Sequence, residues 1–464
     1  MRTYRNALIL LVVFALVLGG YFAYEKFGKK SDDATKTADE TETQALFKIE
    51  AEKIKGITID HKGQKFVIDR KDKELVLTSP EGSNIDKEKI IGLGVTAADM
   101  RYTKVVAKGD ADLSQFGLTA PQAVVTLAME DGSSKVIQIG DESPSKESRF
   151  VKLADGDSVY AVVASSAESF LLDLSGLKQK TIFNFKPEDV NYLGVQKDGK
   201  YSFEVKKGTT WDILKPMETL GDESKVVPII QSAVGMNIKE YVNGSKLNPA
   251  DYGLDNPAYV LELGAKDAKN IKLLLGKEKV RGQEIYAKVD GNDDIFVVDE
   301  KGFDFGDKTI ADIMDAFVYI VNIADVSSIK VEADGMNSIA NIKADGENKE
   351  QDEFVIDGRP TKDVESEGNT GDGMFRVYYQ KLIGLTFDKV EFGANPTGKP
   401  DVTITYSLEK APGTVKIELV RKDDNTYYAL KDGKYKNITV AKNQVDQMKD
   451  SYKKLIDLLD KAKK

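Results

Sequence analysis

A single step of 136 residues carries one set of landmarks onto another, and nothing else in the chain constrains its fold as much. Gly253 stands 253 − 117 = 136 residues after Gly117. The same step takes Pro80 to Pro216, Met100 to Met236, Gly140 to Gly276, and Tyr160 in SVYAVV to Phe296 in DIFVVD. Gly63 maps to Gly199 and on to Gly335. So many landmarks at one offset mark a tandem repeat. The third copy begins in register at Ile329 and drifts after Gly335, where DGENKEQDEFVIDGRPTKDVESEGNTGDG replaces a shorter central segment.

Residues 112–121, DLSQFGLTAP, return at 248–257 as NPADYGLDNP. A weaker copy at 388–396 keeps Phe392, Gly393 and Ala394. In all three an Asp or Asn (Asp112, Asn248, Asp388) stands five residues before the glycine. A side chain of that type caps the free amides of a short helical turn, and a glycine ends the turn where φ is positive. The expectation is one capped turn used three times, leading each time into a strand.

Within a copy the hydrophobic period changes in a fixed order. Residues 57–60 and 66–69 alternate around a turn at His61, and 74–78 adds a third strand. Positions Ile90, Leu93, Ala97 and Met100 have helical spacing within 86–100, matched by Val226, Ile229, Ala233 and Met236, and by Phe375, Tyr378, Tyr379 and Leu382. Four strands follow the capped turn at 124–129, 135–139, 150–153 and 159–163, then a closing helix at 165–174. In the last copy that helix is 443–461, with Val445, Met448, Tyr452, Leu455 and Leu459 on one stripe. The expected fold class is α+β: one N-terminal transmembrane helix, then three tandem repeats of a curved antiparallel sheet with two helices each.

The N-terminus supplies the membrane expectation. Residues 7–23, bounded by Ala7 and Ala23, read ALILLVVFALVLGGYFA, with Arg2 and Arg5 before and Lys26, Lys29 and Lys30 after. Such a run reads as an uncleaved anchor, with the long remainder outside the cytoplasmic membrane. The expected boundaries are 1–30 for the anchor and 31–45 for a flexible acidic spacer. Three modules follow at 46–184, 185–324 and 325–464, the third divergent and carrying an acidic insertion. A net charge of -10 argues against nucleic acid as a partner, because phosphate contacts need a basic face. The absence of cysteine removes disulfides, thiol nucleophiles and thiolate metal sites.

These landmarks resemble the family called domain of unknown function 4340. In that family Phe-Gly-Leu-x-x-Pro leads into a strand, Gly-Asp ends the next one and a Val-Tyr-x-Val strand follows. Here the corresponding residues are Phe116-Gly117-Leu118 with Pro121, Gly140-Asp141 and Val159-Tyr160-Ala161-Val162. The second copy departs at Tyr252, Lys277 and Ile295-Phe296, and the third departs further. The resemblance implies a membrane-anchored extracytoplasmic auxiliary protein of a gliding-motility-type ABC transporter.

Few residues invite chemistry. His61, the only histidine, falls in a hairpin turn whose counterpart is Lys197, so a metal or triad role lacks partners. Trp211 aligns with Leu75 and reads as packing. Gly92 and Gly94 resemble a dinucleotide fingerprint but follow no strand of a βαβ unit; close helix-to-sheet packing explains them better. Acidic turns at Asp155 and Asp157, at 290–294, and around Asp363, Glu365, Glu367 and Asp372 have calcium-ligand types without EF-hand spacing. No catalytic, cofactor-binding or metal residue is assigned, and no cofactor is expected. The expected function is a non-enzymatic scaffold or accessory component of an ABC-transporter-like or cell-envelope assembly, with an ABC transporter permease or other envelope proteins as partners. The alternative is an extracytoplasmic ligand-binding protein taking envelope polysaccharide, or calcium through the acidic loops.

Overall fold

The computed structural model describes residues 43–82, 84–244, 246–303, 305–345, 350–409 and 413–462. The expected anchor at 1–30, with its apolar run, and the spacer up to residue 42 lie outside the described residues. Gln44–Ala45, assigned to the spacer, is instead a short strand paired with Arg101–Lys108.

Strands account for 44% of the structure and helices for 22%, mostly in three nine-stranded antiparallel sheets. The α+β class with two helices to a module is therefore corrected to a mainly β fold. Among the described residues no helix is long and apolar enough to cross a membrane. The expected closing helix at 165–174 shrinks to α2 (Ala164–Glu168), because Asp173 accepts from the amide of Gly176 at 2.8 Å and starts a separate short turn. The full-length helices are α1 (Lys87–Ala98), α3 (Glu223–Val234), α5 (Gly371–Ile383) and α6 (Lys442–Lys461), whereas α4 (Ile310–Ile313) is a single turn.

All three sheets share one plan. In the first, Glu74–Ser79, Gln64–Lys71 and Ile54–His61 form one meander, and Ala123–Met129, Ser134–Glu142, Ser148–Leu153 and Ser158–Val163 form another. The meanders join where Ile54–His61 pairs with Ala123–Met129, and Arg101–Lys108 pairs with Ser158–Val163 on the far side, with Gln44–Ala45 beyond it. The 136-residue step is preserved in the pairing itself: Ile57 faces Leu127, and Leu193 faces Leu263. In the third sheet Ile329 faces Tyr406, a step of 406 − 263 = 143 on the second side, so the longer central segment shifts the partner by seven positions. A bulge recurs at Lys55, Asn191 and Ser327, each 136 apart, where the register slips between flanking pairs.

The described residues form two compact units, divided between Lys178 and Gln179. In the first unit, α1 starts at Asp86, whose carboxylate accepts from the amides of Glu88 and Lys89. It buries Ile90, Leu93 and Ala97 against a cluster that includes Ile57, Phe66, Val125 and Leu127. In the second unit a single cluster runs unbroken from Leu193 and Phe203 in the second sheet to Tyr406 and Leu455. The chain between these two sheets explains that continuity. Ile313 accepts from the amide of Asp222 and the amide of Asp315 donates to Leu220, while the amide of Val318 donates to Leu385 and Ala316 accepts from Phe387, all at 2.8–2.9 Å. This connector is hydrogen-bonded to the edge of the second sheet at Leu220 and to the loop that follows α5, and it forms the floor of the site described next.

Candidate functional site

A cleft of about 550 Å³ opens between the second and third sheets of the second unit. One wall is the strand Trp211–Lys215 with Glu218, Thr219 and Leu220; the connector supplies Met314, Asp315 and Phe317 to Ile320; the other wall carries Lys431, Lys436 and Ile438. Its mouth is apolar: Leu220, Phe317 and Ile320 are 48%, 41% and 51% exposed, which is uncommon for such side chains gathered in one place. The Nζ of Lys431 lies 4.9 Å from the centre of the Tyr319 ring. Lys436 is half-buried, and burial, followed by the neighbouring Lys431 charge, lowers its pKa below the ordinary lysine value. Among the described residues neither ammonium has a carboxylate within ion-pair distance. Of the acidic groups, Asp212 and Glu218 are exposed on the opposite wall, and Asp315, on the connector, accepts from the amide of Phe317 at 2.9 Å.

Sequence reasoning missed this cleft. The available signal was AFVYIV at 316–321, an apolar run where a junction between independent modules would be polar.

The recurring turns sit elsewhere and do something different. Leu113–Phe116 is a short 3-10 helix capped by Asp112, which accepts from the amide of Ser114 at 3.0 Å, and Gly117 ends it at φ 66°. Pro249–Tyr252 repeats this with Asn248 as the cap and Gly253 at φ 72°. Each turn is pressed onto the neighbouring strand. A Cβ on Gly140 would stand 2.1 Å from the carbonyl oxygen of Phe116, and one on Gly276 2.2 Å from that of Tyr252. A Cβ on Gly117 would meet the Asp141 carboxyl at 2.3 Å. The aromatic residue is fixed as well: Phe116 packs edge-on to Phe150 at 5.0 Å, and Tyr252 to Tyr286 at 4.9 Å. The third copy corrects the expectation of three such turns. There Lys389–Val390 is a strand paired with Lys434–Ala441, in the place of the capped turn, and Gly393 keeps φ 78° with nothing within 4 Å of its Cβ position.

The family described as Domain of unknown function (DUF4340) matches residues 76–257 and 211–401. Together these span 401 − 76 + 1 = 326 of the 464 residues, and their starts lie 211 − 76 = 135 apart, close to the repeat step. The chain belongs to the DUF4340 family. No match is found among curated proteins or among solved structures. Phe116, Gly117, Gly140 and Asp141, the parts of the turn-on-strand lock, all lie within the first matched region, and Tyr252, Gly253 and Gly276 lie within the second.

Most of the other residues singled out in this DUF4340 chain have local partners. His61 donates through Nδ1 to the carbonyl of Leu172 at 3.0 Å. Trp211 is buried in the core, its Nε1 without a hydrogen-bond partner among the described residues. Gly94 permits close packing, since a Cβ there would lie 2.4 Å from Leu75 Cδ1; Gly92 faces open space, so the packing explanation holds for Gly94 alone. Asp155 accepts from Lys135 at 3.1 Å, and that hydrogen bond lowers its pKa. Asp157 accepts from Ser158, Glu367 pairs with Lys461 at 3.1 Å, and Asp372 accepts from Thr361 at 2.5 Å. Glu365 lies in the small ribbon Glu365–Ser366, Asn369–Thr370, and Asp363 adopts φ 62° in the turn before it. In the 290–294 turn, Asn292 accepts from the amide of Asp294 at 3.0 Å. Among the described residues no three acidic or histidine side chains are grouped as a metal would require.

Proposed function

We propose that this DUF4340 protein is a non-enzymatic scaffold or accessory component of an ABC-transporter-like or other cell-envelope assembly. It would be held at the outer face of the cytoplasmic membrane through the apolar run 7–23. One observation carries the reading: the residues that recur at the 136-residue step serve to lock turns onto strands, as Gly140 does against Phe116 and Gly276 against Tyr252. What the repeat maintains is a rigid framework of broad sheets, which suits a protein that holds other components in place. The test is purification of the full chain from its native membrane in mild detergent, with partners quantified. Recovery of a permease or other envelope protein in constant proportion to the chain is the expected result; recovery of the chain alone overturns the proposal.

A further inference from the structure

The cleft between the second and third sheets combines two features that are each unfavourable when left alone. Lys431 and Lys436 place two ammonium groups on one wall, with no carboxylate of the described residues in ion-pair range of either, and Lys436 is half-buried. Taking a cation out of water without a counter-charge is costly, so partly buried cations are ordinarily paired. Beside them Leu220, Phe317 and Ile320 hold apolar surface open to solvent at the mouth. The volume, about 550 Å³, lies in the range of roughly 300–1,000 Å³ usual for small-molecule sites.

We propose that this cleft binds an amphiphilic anion, its carboxylate or phosphate group seated between Lys431 and Lys436 and its alkyl part laid over Leu220, Phe317 and Ile320. The charge distribution sets the orientation. Asp212 and Glu218 are exposed on the opposite wall, so the anionic head is drawn to the lysine side and repelled from the other. The apolar part supplies the free energy that a headgroup alone, exchanging water for two lysines, would lack. A free fatty-acid-like anion and an anionic membrane lipid share this chemistry. The proposal is independent of the scaffold reading, since a scaffold can carry a ligand site or none.

The probe is radiolabelled decanoate, dialysed to equilibrium against the full chain in nanodiscs of zwitterionic lipid, with empty nanodiscs as the blank. One molecule of decanoate should bind per chain, with acetate and decanol each at least tenfold weaker. The double variant Lys431→Gln, Lys436→Gln should lose at least tenfold in decanoate affinity and leave decanol unchanged. Phe317→Ser, at an exposed position, should weaken decanoate while keeping the melting temperature. Competition by phosphatidylglycerol vesicles would identify the ligand as a membrane lipid; failure to compete would identify a free amphiphile. Undiminished decanoate binding by the double variant overturns the proposal, as does an absence of saturable binding by the unaltered chain.

Discussion

At the scale of single residues, the capped turn at Asp112 shows which features a sequence reveals. An Asp five residues before a glycine, with an aromatic between them, points to both the cap and the positive φ of Gly117, although the same spacing at Asp388 and Gly393 keeps only the positive φ. The collision of a Gly117 Cβ with Asp141 was not legible, because the 24 residues between them give no sign that turn and strand touch (141 − 117 = 24). Gly92 and Gly94 could not be told apart for the same reason. Gly117→Val should therefore destabilise the first unit by about 1–3 kcal/mol from backbone strain alone, before the contact with Asp141 adds to it. A melting temperature equal to that of the unaltered protein would disprove this. The cap also makes a titration prediction. Hydrogen bonds from the Ser114 hydroxyl, then from its amide, hold the Asp112 carboxyl below its ordinary value of 3.8. A depressed folded-state pKa means that the group contributes stability above the unfolded pKa and loses it as pH falls through the folded one. In carbon-13 NMR titration of the folded protein, Asp112 should titrate below 3.8, and Ser114→Ala should move it back up. An unmoved titration in that variant would show that the hydroxyl is not the cause.

At the scale of elements, period-two alternation revealed the strands buried on one face and missed strands that lack a buried face or are very short. Ile54–His61 and Gln64–Lys71 alternate visibly because one side faces a core. Arg101–Lys108 has no buried residue and Lys389–Val390 is only two residues long, so neither imprints a period on the sequence. The third copy of the turn was misread on that account: its edge strand occupies the place of the capped turn, and the Asp-to-Gly spacing survives without its function. The same comparison predicts unequal costs for equal substitutions. Gly276→Ala places a Cβ 2.2 Å from a backbone oxygen that cannot swing away, whereas Gly393→Ala meets nothing within 4 Å and has only its φ to contend with. Overpacking of this kind costs about 1–3 kcal/mol. Gly276→Ala should thus lower the melting temperature by several degrees more than Gly393→Ala, and equal shifts would show that the turn is not locked to the strand.

At the scale of the whole chain, a repeat period announces that copies exist but is silent on whether neighbouring copies share a core. Fusion of the second and third sheets depends on the short connector 313–318, which is hydrogen-bonded to Leu220 of the second sheet and to the loop after α5, and on Met314, Val318 and Leu385, all nearly inaccessible to solvent. The cleft that this fusion creates was illegible for a related reason. Lys431 and Lys436 stand more than a hundred residues from Phe317 (431 − 317 = 114), and among 66 lysines and arginines two that lack a carboxylate partner among the described residues carry no mark. The separation into two buried clusters makes a prediction that a single tryptophan can read. Trp211 belongs to the cluster of the second unit, together with Leu455, while Ile57 belongs to the other. Truncating a fully buried Leu or Ile to Ala costs about 2–5 kcal/mol. Leu455→Ala should lower the unfolding midpoint seen by Trp211 fluorescence by several degrees. Ile57→Ala should leave that midpoint in place while lowering part of the transition seen by far-ultraviolet circular dichroism, which reports both units. If Ile57→Ala instead moves the Trp211 transition as far as Leu455→Ala does, the two clusters unfold as one and the division into two cooperative units is wrong.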